Sequence, residues 1–168
     1  VLGQTILLPA LAPNPNAPVQ FIGSVNNLIM MGGGFTQIEF AKRGRVAAIN
    51  TQTGLPTSFN PTITNGTVLA IEALGNNVFI GGSFTAQAGS YNLNNLVTYF
   101  NTGNVNTDVV MSFNGIVRSL AANGSTLLVG GDFTTASTPI TNTSITRNYL
   151  LSFTIGTNAS INTGFNAN

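Results

Sequence analysis

The chain has 168 residues, of which only 5% are charged, and its formal net charge is +1. Soluble domains carry about 25% charged residues, so the polar surface of this chain must come from Asn, Thr, Ser and Gln. Such a small net charge offers no electrostatic footprint for nucleic acid or for an acidic membrane. Cysteine and histidine are absent, which excludes disulfide bonds and thiolate metal sites. The composition favours a chain in a large assembly or on a cell surface.

The sequence contains no segment typical of a membrane span or a secretion signal. The early apolar stretch "TILLPALAP" contains two prolines and is shorter than the roughly 18 residues that a transmembrane helix needs. The start lacks the basic region that precedes the apolar region of a signal peptide, and the first residue is not Met. We expect the chain to be a mature or partial piece of a longer protein.

The first element in chain order is the apolar segment "ILLPALAPNPNAP" at residues 6–18. Its "APNP" resembles the "SFNP" that closes a later unit at residues 58–61. We interpret residues 1–18 as the last strand and exit of a preceding repeat unit.

Three glycine-rich stretches follow, and they are copies of one pattern, Gly-Gly-x-Phe-Thr. The copies are "LIMMGGGFT" at 28–36, "VFIGGSFT" at 78–85 and "LLVGGDFT" at 127–134. Their phenylalanines, Phe35, Phe84 and Phe133, are each 49 residues apart. Equal spacing of a five-residue pattern indicates an internal repeat.

Each copy is preceded by a predicted hairpin. A first strand begins at residue 19, 67 or 116, and a turn rich in Asn and Gly follows at 25–27, 75–77 and 123–125. Asn and Gly are typical of tight hairpin turns because they accept a positive φ at little cost. The first strand of the second unit alternates in part, with Val68, Ala70 and Glu72 on one face and Leu69, Ile71 and Ala73 on the other.

Each copy is followed by a polar loop of variable length and then by a third predicted strand. The third strands are at 45–50, 95–101 and 147–153. A turn with Gly54, Gly103 or Gly156 comes next, and each unit closes on Phe-Asn, at 58–61, 112–115 and 164–167. The differences in length therefore fall in the loops, as a repeat architecture requires.

These elements predict an all-β fold of about four short antiparallel strands per unit. No segment shows a sustained helical period with caps. Units of about 50 residues with four strands are typical of β-propeller blades. We predict a remnant at 1–18 and blades at 19–66, 67–115 and 116–168. A closed propeller needs roughly four to eight blades, so we expect either a fragment of a longer chain or closure with other copies.

The motif, the later apolar strand and the closing "SFNP" together resemble the delta-60 repeat, a kelch-like bacterial β-propeller repeat. The resemblance covers residues 19–168 three times over. It implies a propeller in a large secreted or cell-surface bacterial protein, and it implies no catalytic residues. The sequence departs from kelch repeats because Phe occupies the closing position where kelch has a Tyr and Trp pair.

Gly32, Gly33 and Gly34 are candidates for a phosphate-binding loop. A P-loop requires Lys and Ser or Thr after the glycines, at the start of a helix, whereas Phe-Thr-Gln follows here. The dinucleotide fingerprint of spaced glycines with a distant acid is also absent. We therefore predict that the glycines allow a close approach of backbones, and that the phenylalanine after them fills the core between blades.

Acid–base catalysis would require paired acids or histidine. The four acids, Glu39, Glu72, Asp108 and Asp132, occupy different positions in the aligned repeat, so we do not expect them to meet in one site. Asp132 is a candidate Ca²⁺ ligand, but Gly34 and Ser83 occupy the same position in the other units. We interpret Asp132 as a turn cap and predict no catalytic residue, metal or cofactor.

Lys42, Arg43 and Arg45 form a basic cluster, which we interpret as solvated loop charge since nucleic-acid binding would need more charge and exposed aromatics. Arg147 lies near the position of Arg45 in the repeat and is expected to make a repeated structural contact. Four asparagines match the acceptor pattern for N-glycosylation, a match that arises freely in a chain rich in Asn, Ser and Thr. They are Asn65, Asn123, Asn142 and Asn158.

The sequence therefore predicts a non-enzymatic structural or adhesive module, extracellular or on a cell surface, without nucleic-acid or membrane partners. The contact face would be the variable loops at 37–44, 86–94 and 135–146, whose Asn, Gln, Thr and Tyr91 suit a glycan or a protein partner. One alternative is a carbohydrate-active or hydrolytic propeller whose active residues lie on other blades. Another is a filament or sheath subunit whose open edges pair between copies.

Overall fold

The protein is built from antiparallel β-strands. The computed structural model describes residues 13–156 and 160–161, and these residues contain fifteen strands and no helix. The predicted all-β class is therefore confirmed. Within the described part, no helix could cross a membrane. The predicted closing segment at 164–167, the candidate Asn158 and most of the predicted remnant at 1–18 lie outside the described residues.

Three main sheets follow one another along the chain with the same strand order. They are β1-β2-β5, β6-β7-β8 and β10-β11-β14-β15, and two smaller sheets are β3-β4 and β13-β12-β9. The strands are β1 (Val19–Val25), β2 (Leu28–Gly33), β3 (Gln37–Ile38), β4 (Ala41–Lys42), β5 (Val46–Asn50), β6 (Thr67–Leu74), β7 (Asn77–Ala88), β8 (Tyr91–Phe100), β9 (Ser112–Phe113), β10 (Val117–Asn123), β11 (Thr126–Gly131), β12 (Thr135–Thr138), β13 (Thr143–Thr146), β14 (Leu150–Thr154) and β15 (Ser160–Ile161).

The first two strands of each main sheet form a hairpin with a two-residue turn, as the Asn and Gly pattern predicts. The turns follow the pairs Val25↔Leu28, Leu74↔Asn77 and Asn123↔Thr126. A residue with positive φ begins each turn: Asn26 (53°), Gly75 (62°) and Gly124 (60°). The predicted hairpins are confirmed in all three units.

A bulge lies at the same place in the first strand of each unit. The register shifts between Val19 and Phe21, between Val68 and Ala70, and between Val117 and Ser119. One extra residue in a strand bends it and reverses the alternation of its side chains. The prediction that Val68 and Ile71 lie on opposite faces of β6 is therefore wrong, because both pack around Gly32.

The predicted fourth strand of each unit is shorter than expected. In the first two units it is a single bridge, Ile49↔Pro56 and Tyr99↔Val105, and in the third it is β15, which pairs with β14. Pro56 has no N–H to donate to a ladder. After Val105, the Asn106 Oδ1 accepts a hydrogen bond from Asp108 N at 2.8 Å and turns the chain away.

The segments predicted as polar loops after each motif are β-hairpins, so this prediction is wrong. Residues 37–44 contain β3 and β4, residues 86–94 are the outer ends of β7 and β8, and residues 135–146 contain β12 and β13. The reason is period-two burial: Ala86 and Ala88 are buried while Gln87 between them is exposed, so one face of the hairpin packs on the sheet below.

Successive units pack face to face, and the core lies between them. One buried cluster joins Met30 and Val46 of the first unit to Val68 and Ile71 of the second, and another joins Phe79 of the second unit to the third. Phe84 and Phe133 belong to these clusters, which confirms them as core residues between units. The opposite face of the first unit holds a third cluster, formed by Met31, Phe35, Ile38, Ala47 and Ile49.

Candidate functional site

The two glycines of the Gly-Gly pair allow close packing, and each of them makes a different close contact. A Cβ on the second glycine would lie closer than 3.0 Å to a carbonyl oxygen at the start of the first strand: Gly33 to Pro18, Gly82 to Thr67 and Gly131 to Ile116. The first glycine faces the next unit, and a Cβ there would lie 2.5 Å from Val68 Cγ1 for Gly32 and 2.5 Å from Val117 Cγ1 for Gly81.

The third glycine of the triplet has a different environment. A Cβ on Gly34 would meet only Thr67 Oγ1, at 4.0 Å, so this position tolerates the Ser83 and Asp132 of the other units. The prediction that the glycines permit close approach of backbones is confirmed for the second glycine of each pair, whereas Gly32 and Gly81 make room for a valine side chain of the next unit. The triplet that suggested a phosphate loop contains two structural glycines and one replaceable glycine.

A repeated asparagine fixes the motif's threonine, and sequence reasoning missed it. Asn16, Asn65 and Asn114 are each 49 residues apart. In each unit the Asn Oδ1 accepts from the threonine N–H, at 2.8 to 2.9 Å, and the Asn Nδ2 donates to the threonine Oγ1, at 2.7 to 3.0 Å. The sequence does contain a signal for this asparagine, because Asn-x-x-Val recurs with the same 49-residue spacing as the Gly-Gly pair. Asn65 was predicted only as a glycosylation candidate.

Replacing Asn114, which bonds the motif threonine of the third unit, tests the structural role of the repeated asparagine. Asn114→Ala removes the bonds to Thr134 Oγ1, Thr134 N and Thr135 N, and we expect it to lower the free energy of unfolding by about 2 kcal/mol in urea. Asn114→Asp keeps the acceptor oxygen and should cost about half as much. The control is Asn104→Ala, at an exposed asparagine, and it should change the free energy of unfolding by less than about 0.5 kcal/mol. Equal losses for Asn114→Ala and the control would contradict this role.

The four acids are not brought together. Glu39 lies at a hairpin tip with φ 50°, and Asp108 lies in the late turn where it was predicted. Glu72 lies in β6 and its Oε1 accepts from Ala122 N of the third unit at 3.3 Å. Among the described residues there is no group of three or more His, Cys, Asp or Glu that could hold a metal ion.

Asp132 forms an ion pair with Arg118, so its interpretation as a turn cap is wrong. Arg118 is the bulge residue of β10, and its Nε donates to Oδ1 at 2.8 Å and its Nη2 to Oδ2 at 2.5 Å. The hydrogen bonds from Arg118 lower the pKa of Asp132, and the same bonds raise the pKa of Arg118. Both side chains are about half exposed, so water screens the pair.

The basic cluster is only partly solvated. Lys42 is exposed, but Arg43 and Arg45 are half-buried and donate to backbone carbonyls. Arg45 Nε donates to Gly66 O at 2.6 Å and Nη1 to Ile63 O at 2.8 Å, both in the segment that leads into the second unit. The interpretation as solvated loop charge is therefore wrong for both arginines, which hold carbonyl oxygens in place.

Arg147 makes a repeated contact, but at the position of Arg43, two residues before the expected position of Arg45. Its backbone N donates to Thr134 O at 3.0 Å, as Arg43 N donates to Thr36 O at 2.9 Å. The position of Arg45 is taken instead by Tyr149. The two residues share a positive φ, 66° and 67°, and their carbonyl oxygens accept from the second glycine of the motif.

A polar cleft of about 820 Å³ opens between the outer ends of β7 and β8 and the segment that leads into the second unit. Its lining is neutral, and most of its side chains are amides or hydroxyls. The lining residues are Asn60, Thr62, Thr64, Thr85, Ala86, Gln87, Asn92, Asn94, Tyr99, Gly103, Asn104 and Val105. Protein clefts that take small ligands have volumes of about 300 to 1,000 Å³.

The floor of the cleft is held by a buried tyrosine. Tyr99 is 5% exposed, packs edge-to-face on Phe59 with ring centroids 6.2 Å apart, and accepts a hydrogen bond from Thr62 N at 3.1 Å. Burial raises the pKa of the Tyr99 hydroxyl, and the bond from Thr62 opposes this in part. Tyr99 is therefore neutral at ordinary pH and positions the lead-in segment.

A second cleft, of about 450 Å³, lies on the other side of the same lead-in segment. It shares Asn60, Thr62 and Thr64 with the first cleft and adds Lys42, Arg43 and Arg45. The hairpin at 86–94 thus lines the first cleft and the hairpin at 37–44 lines the second, whereas 135–146 lines neither. The structure brings two of the three predicted contact segments to one region.

The remaining described candidates lie on the surface, Asn123 at the end of β10 and Asn142 in a turn. Asn123 and Asn142 are exposed, and Asn142 has φ 51° at a hairpin tip.

Comparison with known proteins adds no relative. No family model matches the chain, and no curated protein matches it.

Proposed function

We propose that this chain is a non-catalytic binding module of β-propeller units of the delta-60 type, from a secreted or cell-surface protein. Its ligand is a neutral, hydroxyl-rich molecule, an oligosaccharide, held in the 820 Å³ cleft of the second unit. The predicted all-β repeat supports the module, and the lining of the cleft supports the ligand class.

The lining chemistry carries the proposal. Amide groups donate and accept hydrogen bonds at once, and hydroxyls do the same, which matches the paired donors and acceptors of a sugar. Gln87 and Asn92 lie opposite each other on β7 and β8, and Gln87 Nε2 donates to Asn92 Oδ1 at 3.3 Å. Asn60 and Asn104 face them across the cleft. A bound ligand can therefore replace the long, exposed hydrogen bond between Gln87 and Asn92 by shorter hydrogen bonds to its own groups.

The position of the acids supports binding over catalysis. Glu39, Glu72, Asp108 and Asp132 all lie in the described part of the chain, and none of them lines the cleft. Glycoside hydrolysis needs two carboxyl groups about 5 to 9.5 Å apart beside the scissile bond. The cleft therefore offers hydrogen bonds and shape, without an acid or a base.

The repeat geometry supports the propeller assignment. The bulge, the glycine pair and the asparagine recur at 49 residues, and each unit packs one face of its sheet on the next. Radial repetition of such units generates a propeller. A low-resolution map of the full-length protein, counting its units, would test this part separately.

A glycan microarray followed by isothermal titration with the strongest oligosaccharide tests the ligand class. We expect binding by the chain, and a loss of affinity of about tenfold or more in the double variant Gln87→Ala/Asn92→Ala. Both side chains are exposed, so the variant should keep its fold, as circular dichroism would verify.

The matched control is Thr141→Ala/Thr143→Ala, which removes another exposed side-chain pair, bonded at 2.8 Å on the third hairpin. This control should bind as the unchanged chain does. An array without any bound glycan would refute the oligosaccharide proposal. Binding that is lost in the control but kept in the cleft variant would place the site on the third hairpin and refute the cleft.

A further inference from the structure

The first and last units present the two halves of an interface that already occurs twice inside the chain. We propose that the chain associates head-to-tail with a second copy of itself through these two faces. The head face is Val19 and Ile22 of β1, and the tail face is Leu128, Gly130, Tyr149 and Leu150. The inference does not depend on the ligand of the polar cleft.

The internal interfaces define what each face requires. At the first, Val68 and Ile71 of the second unit lie against Gly32, in one cluster with Met30 and Val46. At the second, 49 residues later, Val117 and Leu120 of the third unit lie against Gly81, in one cluster with Phe79 and Leu96. An apolar pair on the first strand thus covers a glycine and two apolar side chains of the unit before it.

On the head side of the first unit, Met31, Ala47 and Ile49 lie in a buried cluster, but the apolar pair on β1 stays exposed. Val19 and Ile22 precede Val68 and Ile71 by 49 residues. Val68 and Ile71 are 0% and 3% exposed, whereas Val19 and Ile22 are 37% and 66% exposed. Exposed apolar residues at positions that are buried in the sister units indicate a face that is complete only with a partner.

The tail face has the glycine and the two apolar side chains. Gly130 follows Gly81 by 49 residues, and Leu128 and Leu150 take the positions of Phe79 and Leu96. All three are partly exposed, whereas Gly81, Phe79 and Leu96 are buried. Each face therefore has the composition that the opposite face meets inside the chain.

A third contact points to the same partner. Arg45 and Asn95 occupy equivalent positions in their units, and both have a positive φ, 66° and 68°. They donate to carbonyl oxygens of the segment that leads into the next unit, Ile63 O at 2.8 Å and Phe113 O at 2.9 Å. Tyr149 has the same position and φ 67°, and its side chain is 64% exposed. Its hydroxyl would meet the start of a following unit.

A head-to-tail contact is heterologous, so one chain uses both faces and can form a closed ring or a filament. Sedimentation velocity of the chain from about 1 to about 100 µM tests the association. We expect species of at least twice the monomer mass at the upper end. A chain that stays monomeric over this range would overturn the proposal.

Complementation of two variants tests the direction of the contact. Ile22→Lys places a charge on the head face, and Leu128→Lys places one on the tail face. Each variant alone should be monomeric. Their equimolar mixture should form a dimer and nothing larger, because one intact head meets one intact tail. This result also shows that both variants are folded. Phe40→Lys changes an apolar side chain that is 99% exposed on a hairpin and should assemble normally. Loss of assembly in this control with assembly kept in Ile22→Lys would overturn the proposal.

Discussion

Phe133→Ala is expected to lower the free energy of unfolding by about 4 kcal/mol, since removal of a buried phenylalanine costs about 3 to 5 kcal/mol. Phe133 is 0% exposed, and its ring lies edge-to-face with Phe113 at a centroid distance of 4.7 Å. It belongs to the cluster that joins the second and third units. The substitution therefore leaves a cavity at the junction, and urea denaturation of the whole chain measures the loss.

Phe40→Ala is the matched control because it is the same substitution at a side chain that is 99% exposed. It should change stability by less than about 0.5 kcal/mol. A double-mutant cycle with Phe113→Ala should give a coupling of about 0.5 to 1.5 kcal/mol for the ring pair. A Phe133→Ala protein as stable as the control would show that the motif's phenylalanine is not a core residue.

Gly33→Ala is expected to cost about 3 kcal/mol or to prevent folding, because the new methyl group would overlap the backbone oxygen of Pro18. That oxygen already accepts a hydrogen bond from Gly34 N at 3.2 Å. A side chain could rotate away, but a carbonyl in a strand can move only if the register around the bulge changes. The expected results are a lower urea midpoint and a disturbed hairpin in amide exchange.

Gly34→Ala, at the neighbouring residue, supplies the control. Its methyl group would meet only Thr67 Oγ1, at ordinary contact distance, and stability should change by less than about 0.5 kcal/mol. The pair separates a steric role from a general need for glycine flexibility, which would affect both positions. If both alanines were harmless, the close approach would not be what requires glycine in the motif.

The repeat was predictable because local chemistry recurs in register. The Asn and Gly turns mark a conformation that few other residues adopt, and the Gly-Gly pair marks a place without room for a Cβ. The first, second and third strands were predicted within a few residues in all units, apart from β8, which begins earlier, at Tyr91. Asn16, Asn65 and Asn114 could have been found the same way, since they keep the same spacing.

The candidate site was predictable only in its location. The segments 37–44 and 86–94 were expected to contribute, and they line the two clefts. Their hairpin conformation was not expected, because small residues such as Ala86 and Ala88 show a buried face only once a sheet lies beneath them. Asn60 and Tyr99 enter the cleft from segments far from the motif, and no local pattern marks them.

The sequence by itself determined the strand class, the unit length and the hairpin turns, because these depend on backbone conformation and short-range spacing. Only the tertiary structure decided which side chains face each other. The bulge places Val68 and Ile71 on the same side of β6, and Arg118 forms an ion pair with Asp132 across the hairpin. Such pairings arise from the way strands are stacked and shifted by one residue, and a one-residue shift changes the partner of every side chain.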